Sequence, residues 1–213
     1  MPRTRHSLSG LFLIAILSAG DLYGQACQGT PRGRGFWVER GDLNLGNTIG
    51  AGGALGGKNF SISAGFRHRD VSDDITGDEA TLRLGPVMRA GIVQLCPVLT
   101  MSGRRDEWQV DSNSTLTSTR AAAAAGVGVG IELPIIGDFS VVPHAIGQYE
   151  YAGTYYQIDS ANEVEEDGTH SGRVDIEFGL LGRFRFFYGG MRTHWSPDSK
   201  YTYLTQWIAG VAF

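Results

Sequence analysis

Ten charged or titratable residues share one side of alternating segments in this 213-residue chain: Arg67, Arg69, Arg83, Arg120, Glu132, His144, Glu150, Arg173, Asp175 and Glu177. Three kinds of chemistry suit such a set. Interleaved guanidiniums and carboxylates can neutralise one another inside an enclosed space, where a buried charge needs a partner. They can instead line a polar path for ions or small solutes. A third option is acid/base chemistry by His144 with Glu150 or Asp175, but nothing in the sequence places a nucleophile beside them. A histidine on an interior face is more often a hydrogen-bonded filler, so the sequence favours the packed interior over a path, and a path over an enzyme.

The two cysteines, Cys27 and Cys96, are the other reactive pair. In an oxidising compartment a disulfide is their default state. Such a bond would tie residues 27–34 into one end of the interior as a plug; two unpaired thiols are the alternative. The acidic runs at 70–79 and 153–170 have no metal-ligand spacing of the EF-hand type. They are read as solvated loops, with no metal site and no cofactor. Phosphate-loop, dinucleotide and zinc-protease motifs are absent from the sequence.

The elements that position these residues have a period of two. Phe60, Ile62, Ala64 and Phe66 alternate with Ser61, Ser63, Gly65 and Arg67, which is the pattern of a strand with one apolar face. Residues 80–86 repeat it with Ala80, Leu82 and Leu84 opposite Thr81 and Arg83. So do residues 93–102, residues 121–133 with their Val/Gly alternation, residues 139–151 and residues 173–180. Residues 36–41 are a weaker strand of unclear facing, because Phe36 and Trp37 are adjacent. Residues 47–55 and 183–194 add two more, and residues 201–213 form the last. Short connections near 57, 90, 136 and 182 alternate with longer polar ones near 74, 110, 160 and 198.

The 31 glycines are about twice the usual share of roughly 7%, which argues against long helices. The net charge of −4 leaves no basic footprint for nucleic acid. At the start, Arg3, Arg5 and His6 precede an apolar run at 11–17 and small residues at Gly24 and Ala26. Residues 1–26 therefore read as a cleaved signal peptide, cut after Ala26 or nearer Gly20. A lipid-modified Cys27 is a weaker alternative. The cut removes two Arg and one Asp and leaves a net charge of −5. An exported chain of alternating strands with charge on one face meets its backbone requirements in a bilayer by closing on itself. The fold expected is all-β: a single closed antiparallel transmembrane β-barrel over residues 35–213. It has ten strands, or eight if 36–41 fails. Residues 27–34 are a periplasmic lead-in. Pro86, Pro97 and Pro143 then require bulges near the short-turn rim.

A signal segment, eight to ten alternating strands, and a last strand ending in Trp207, Ala209, Val211 and Phe213 resemble the family of small outer-membrane β-barrel proteins. The resemblance spans the chain after its signal. It implies an integral protein of the bacterial outer membrane, in contact with outer-membrane lipid and monomeric. It also implies that Tyr203, Trp207, Val211 and Phe213 are an assembly signal read by the barrel-assembly machinery. The family includes adhesins, structural anchors, narrow channels and enzymes, so the activity stays open. A structural or surface-interaction role in a largely filled barrel is the leading expectation.

Overall fold

The computed structural model describes residues 26–30, 33–43, 46–57, 59–72, 75–111, 114–159, 164–197 and 204–213. Residues 1–25 of the expected signal peptide, and Tyr203, lie outside them. A 3-10 turn at Ala26–Gln28 precedes twelve strands: β1 Gly35–Leu43, β2 Gly46–Gly56, β3 Phe60–Ser72, β4 Ile75–Pro86, β5 Met88–Ala90, β6 Val93–Asp111, β7 Ser114–Ile131, β8 Leu133–Ile136, β9 Phe139–Asp159, β10 Val164–Phe184, β11 Phe187–Trp195 and β12 Leu204–Ala212. Ten of them form one antiparallel ring. It closes where β1 pairs with β12, from Gly35 opposite Ala212 to Asp42 opposite Thr205. The short strands β5 and β8 lie outside the ring, on β6 and β9. Residues 36–41 are therefore the strand on which closure depends, and the eight-strand alternative falls.

The ring sorts side chains by parity. Phe60, Phe66, Leu95, Leu99, Met101, Val127, Val129, Tyr149, Phe178, Leu180 and Trp207 are exposed outside, while Ser61, Arg83, Gln94, Thr100, Glu177 and Gln206 between them are buried. The unclear facing of the first strand is resolved: Phe36 and Val38 point out, and Trp37 and Glu39 point in. The adjacent aromatics serve opposite faces.

Four strands are longer than the sequence suggests. β6, β7, β9 and β10 run for 19, 18, 21 and 21 residues, where crossing a bilayer takes about 9–11. Most of the expected loop at 153–170 is an extension of β9 and β10, paired in register from Tyr151 opposite Gly172 to Asp159 opposite Val164. Residues 103–111 and 114 of the expected tip likewise belong to β6 and β7, and Asp78 and Glu79 belong to β4 rather than to a loop. These stretches hold Thr and Tyr, which favour pleated pairing, and a ribbon in water can be polar on both faces. Charge content alone was a poor marker of a loop here.

The three prolines interrupt the ladder without adding a residue. Leu84 pairs with Leu99 and Met88 with Leu95 in one unbroken register, so the gap falls where Pro86 and Pro97 oppose each other. Pro143 sits beside the break between β7 and β8, and it pairs with Leu180 without a shift. The expected bulges at these prolines are thus simple losses of an N–H donor. Register shifts occur instead at 70–72, 109–111 and 134–136. The last tight turn is at Arg185 and Phe186, beyond the expected Gly182-Arg183, and Arg185 has a positive φ of 55°.

Candidate functional site

The interior has an apolar floor and a charged upper lumen. At the short-turn end, Ala26, Trp37, Ala54, Val142, Leu181, Tyr188, Ile208 and Ala212 pack together. Beside them, Cys27, Val87, Cys96, Val98 and Ile146 form a second cluster. The floor includes the N-terminal segment itself. Cys27 and Cys96 form a disulfide with Cα atoms 5.8 Å apart. The Ala26 N–H donates to Gln94 Oε1 at 3.0 Å, and Ala26, Cys27, Gln28 and Thr30 are buried.

The sequence of β7 makes room for this plug. A Cβ on Gly128 would collide with the Cys27 carbonyl, and one on Gly130 with the Ala26 backbone. The Val/Gly alternation of residues 126–131 thus sends valine outward and leaves inward clearance for a second layer of backbone. Gly29, with φ of 67°, and Gly179 lie against the His144 ring.

Above the floor the charges are connected. Glu177, only 1% exposed, receives both arms of Arg83, Nη2 to Oε2 at 2.9 Å and Nη1 to Oε1 at 3.4 Å. His144 Nε2 lies 3.2 Å from Glu177 Oε1, and His194 Nε2 lies 3.6 Å from Oε2. Asp175 accepts from Gln148 Nε2 at 3.0 Å, and Gln148 accepts from Thr100 Oγ1 at 3.0 Å. Glu39 accepts from Arg67 Nε at 2.8 Å, from Gln206 Nε2 at 3.3 Å and from Arg192 Nη2. Arg67 also reaches Glu79 at 3.5 Å. Nearer the long-hairpin end, Arg120 and Arg173 share Glu150, and Arg69 and Arg104 share Asp106. A cavity of about 450 Å³ runs through this region, lined by the Arg and carboxylate side chains together with Thr81, Thr100, Ser102 and Gln148.

Nine of the ten residues singled out from sequence belong to this charged lumen. Arg67, Arg69, Arg83, Arg120, Glu150, Arg173, Asp175 and Glu177 line the cavity, and His144 lies beneath it on Glu177. Glu132 is apart, at the short-turn rim, 3.4 Å from Ser140 Oγ and 3.7 Å from Arg183. The carboxylate that meets His144 is Glu177, not Glu150 or Asp175. Sequence reasoning missed Glu39, Glu79, Arg104, Asp106, Arg192 and Gln206. Glu39 was recoverable by counting two residues on from an inward Trp37. Arg104 and Asp106 were hidden by reading 103–114 as a loop. Trp207 of β12 and Phe213 just after it are exposed on the outer face, and Val211 is half-buried. The Phe213 backbone pairs with Arg34 in both directions, at 2.7 and 3.2 Å.

A closed ring with apolar side chains outside and charges within inverts the arrangement of a water-soluble protein. Exposed apolar patches beyond a few hundred Å² are rare on soluble monomers, whereas lipid demands this exterior. The chain is a membrane-spanning β-barrel of the outer-membrane type. No protein-family model matches it, and no curated protein matches it in sequence. Several solved structures align with it at low similarity. The translocator domain of the autotransporter NalP from Neisseria meningitidis is 12% identical, with 84% of this chain and 86% of that one covered and a TM-score of 0.45. The KdgM porin is 7% identical, with coverage of 84% and 99% and a TM-score of 0.40. The β domain of the Bordetella autotransporter BrkA is 12% identical, with coverage of 84% and 98% and a TM-score of 0.38.

Proposed function

We propose that this barrel is a closed, structural or surface-interaction protein of the bacterial outer membrane rather than a conduit or an enzyme. The observation that carries the reading is the floor: the disulfide-held segment at 26–30 lies across the lumen among packed apolar side chains. The extension of β6, β7, β9 and β10 beyond membrane thickness supports a surface role, since it carries paired backbone into the outer water. In this reading the signal peptide is cut nearer Gly20, which leaves Ala26 in the floor, the short turns face the periplasm, and the barrel stands as a monomer in outer-membrane lipid. The barrel-assembly machinery reads its last strand through Tyr203, Trp207, Val211 and Phe213.

The upper cavity favours one second reading, a narrow channel that conducts once the plug leaves. Planar-bilayer recording tests both. The oxidised protein is expected to be electrically silent, with steps emerging after reduction only if the second reading holds. Stable ohmic steps from the oxidised protein would overturn the closed barrel.

A further inference from the structure

Among the described residues, the charges of the lumen balance in its lower part and do not balance higher up. Around Glu39, Glu79, Asp175 and Glu177, the guanidiniums of Arg67, Arg83 and Arg192 meet at least as many carboxylates. Farther along the ring, Arg69, Arg104, Arg120 and Arg173 form ion pairs, among the described residues, with Asp106 and Glu150, and their third carboxylate neighbour, Glu79 across the strands from Arg104, is already paired with Arg67. Arg104 and Arg120 are direct cross-strand partners, an arrangement that is unfavourable between like charges. The Nε atoms of Arg104 and Arg173 lie 2.7 and 2.8 Å from their carboxylates, yet among the described residues neither makes a hydrogen bond. All four guanidiniums line the cavity of about 450 Å³, a volume within the range of about 300–1,000 Å³ of small-molecule sites.

We infer that this upper lumen is a binding site for a small soluble polyanion carrying at least two phosphate or carboxylate charges. Planar guanidiniums converging on one space suit the paired oxygens of such groups. Membrane lipid is not the source, because the four side chains point into a ring paired on every side. The disulfide-held floor blocks the other end, so the anion enters between the long hairpins. This reading does not depend on the barrel being silent.

The test uses the full refolded chain in nonionic detergent and isothermal titration calorimetry. Inorganic pyrophosphate and citrate are the probes, and spermidine is the cationic control. Saturable binding of at least one anion is expected, weakening as salt rises, with no binding of spermidine. Arg104→Gln with Arg120→Gln should lower the affinity by about tenfold or more, since charge-assisted contacts are lost. Glu150→Gln should raise it by freeing Arg120 and Arg173. Arg40→Gln, on the outer face, should leave it unchanged. Heat-dependent gel mobility reports whether each variant folds. If the double variant does not fold, Glu150→Gln and the spermidine control still decide. The inference is overturned by no saturable binding of either anion at millimolar concentration. Undiminished binding by a folded double variant, or weaker binding by Glu150→Gln, would also overturn it.

Discussion

Glu177→Gln isolates the charge at the centre of the lumen while keeping its shape. Glu177 holds Arg83 at 2.9 and 3.4 Å and lies 3.2 Å from His144, at 1% exposure. At an effective dielectric of about 20, a unit pair 2.9 Å apart is worth roughly 6 kcal/mol before desolvation. Desolvation offsets much of that, but removing one partner does not return Arg83 to water, because its side chain is only 10% exposed. Breaking a buried pair in this way costs about 3–5 kcal/mol. The amide retains one acceptor, so we expect a loss of about 3 kcal/mol, at the low end of that range. The assay is urea unfolding from lipid vesicles, followed by tryptophan fluorescence. Adding Arg83→Met to Glu177→Gln removes the orphaned charge and should recover part of the loss. A single variant within about 1 kcal/mol of the parent would refute the reasoning, because that is the size of an exposed pair. So would a double variant no more stable than the single one.

Two further predictions concern the floor. Cys27→Ser with Cys96→Ser opens a loop spanning 69 positions. The chain-entropy relation puts its effect at about 4 kcal/mol, read as a lower urea midpoint; an unchanged midpoint would show that the bond does not constrain the unfolded chain. Gly130→Leu places a side chain where the Ala26 backbone lies. It should leave Cys27 and Cys96 open to maleimide labelling, whereas Gly103→Val, at an open outer position, should leave both protected; equal protection in the two variants contradicts the seating of the plug.

The fold was legible because a period of two has one meaning when the two faces differ as much as Phe66 and Arg67 do. The weak points were places where that contrast fails. Phe36 and Trp37 are both aromatic, so residues 36–41 showed no face, and Glu39 went unnoticed with them. In the extensions of β9 and β10 the two faces do not contrast, with Tyr155 exposed on one and Ile158 on the other, and alternation cannot be seen without a difference to alternate. The candidate site was partly legible for the same reason. Arg83 and Glu177 stand among apolar neighbours and declare their side. Arg104 and Asp106 stand in the run Ser102 to Glu107, which has no apolar side chain, and do not. The pairing of His144 with Glu177 rather than Glu150 depends on the stagger between β9 and β10, which no single strand carries. The inward glycines of β7 were visible as a pattern, but their purpose needed the plug beside them.

Nitroxide scanning tests the central claim most directly. Single labels at Thr81, Leu82, Thr100 and Met101, in the barrel reconstituted into vesicles, are compared for collision with oxygen and with a water-soluble nickel chelate. Labels at Leu82 and Met101 should favour oxygen, and those at Thr81 and Thr100 should be shielded from lipid. Neighbouring positions with the same accessibility would contradict a wall one residue thick between lipid and a charged interior.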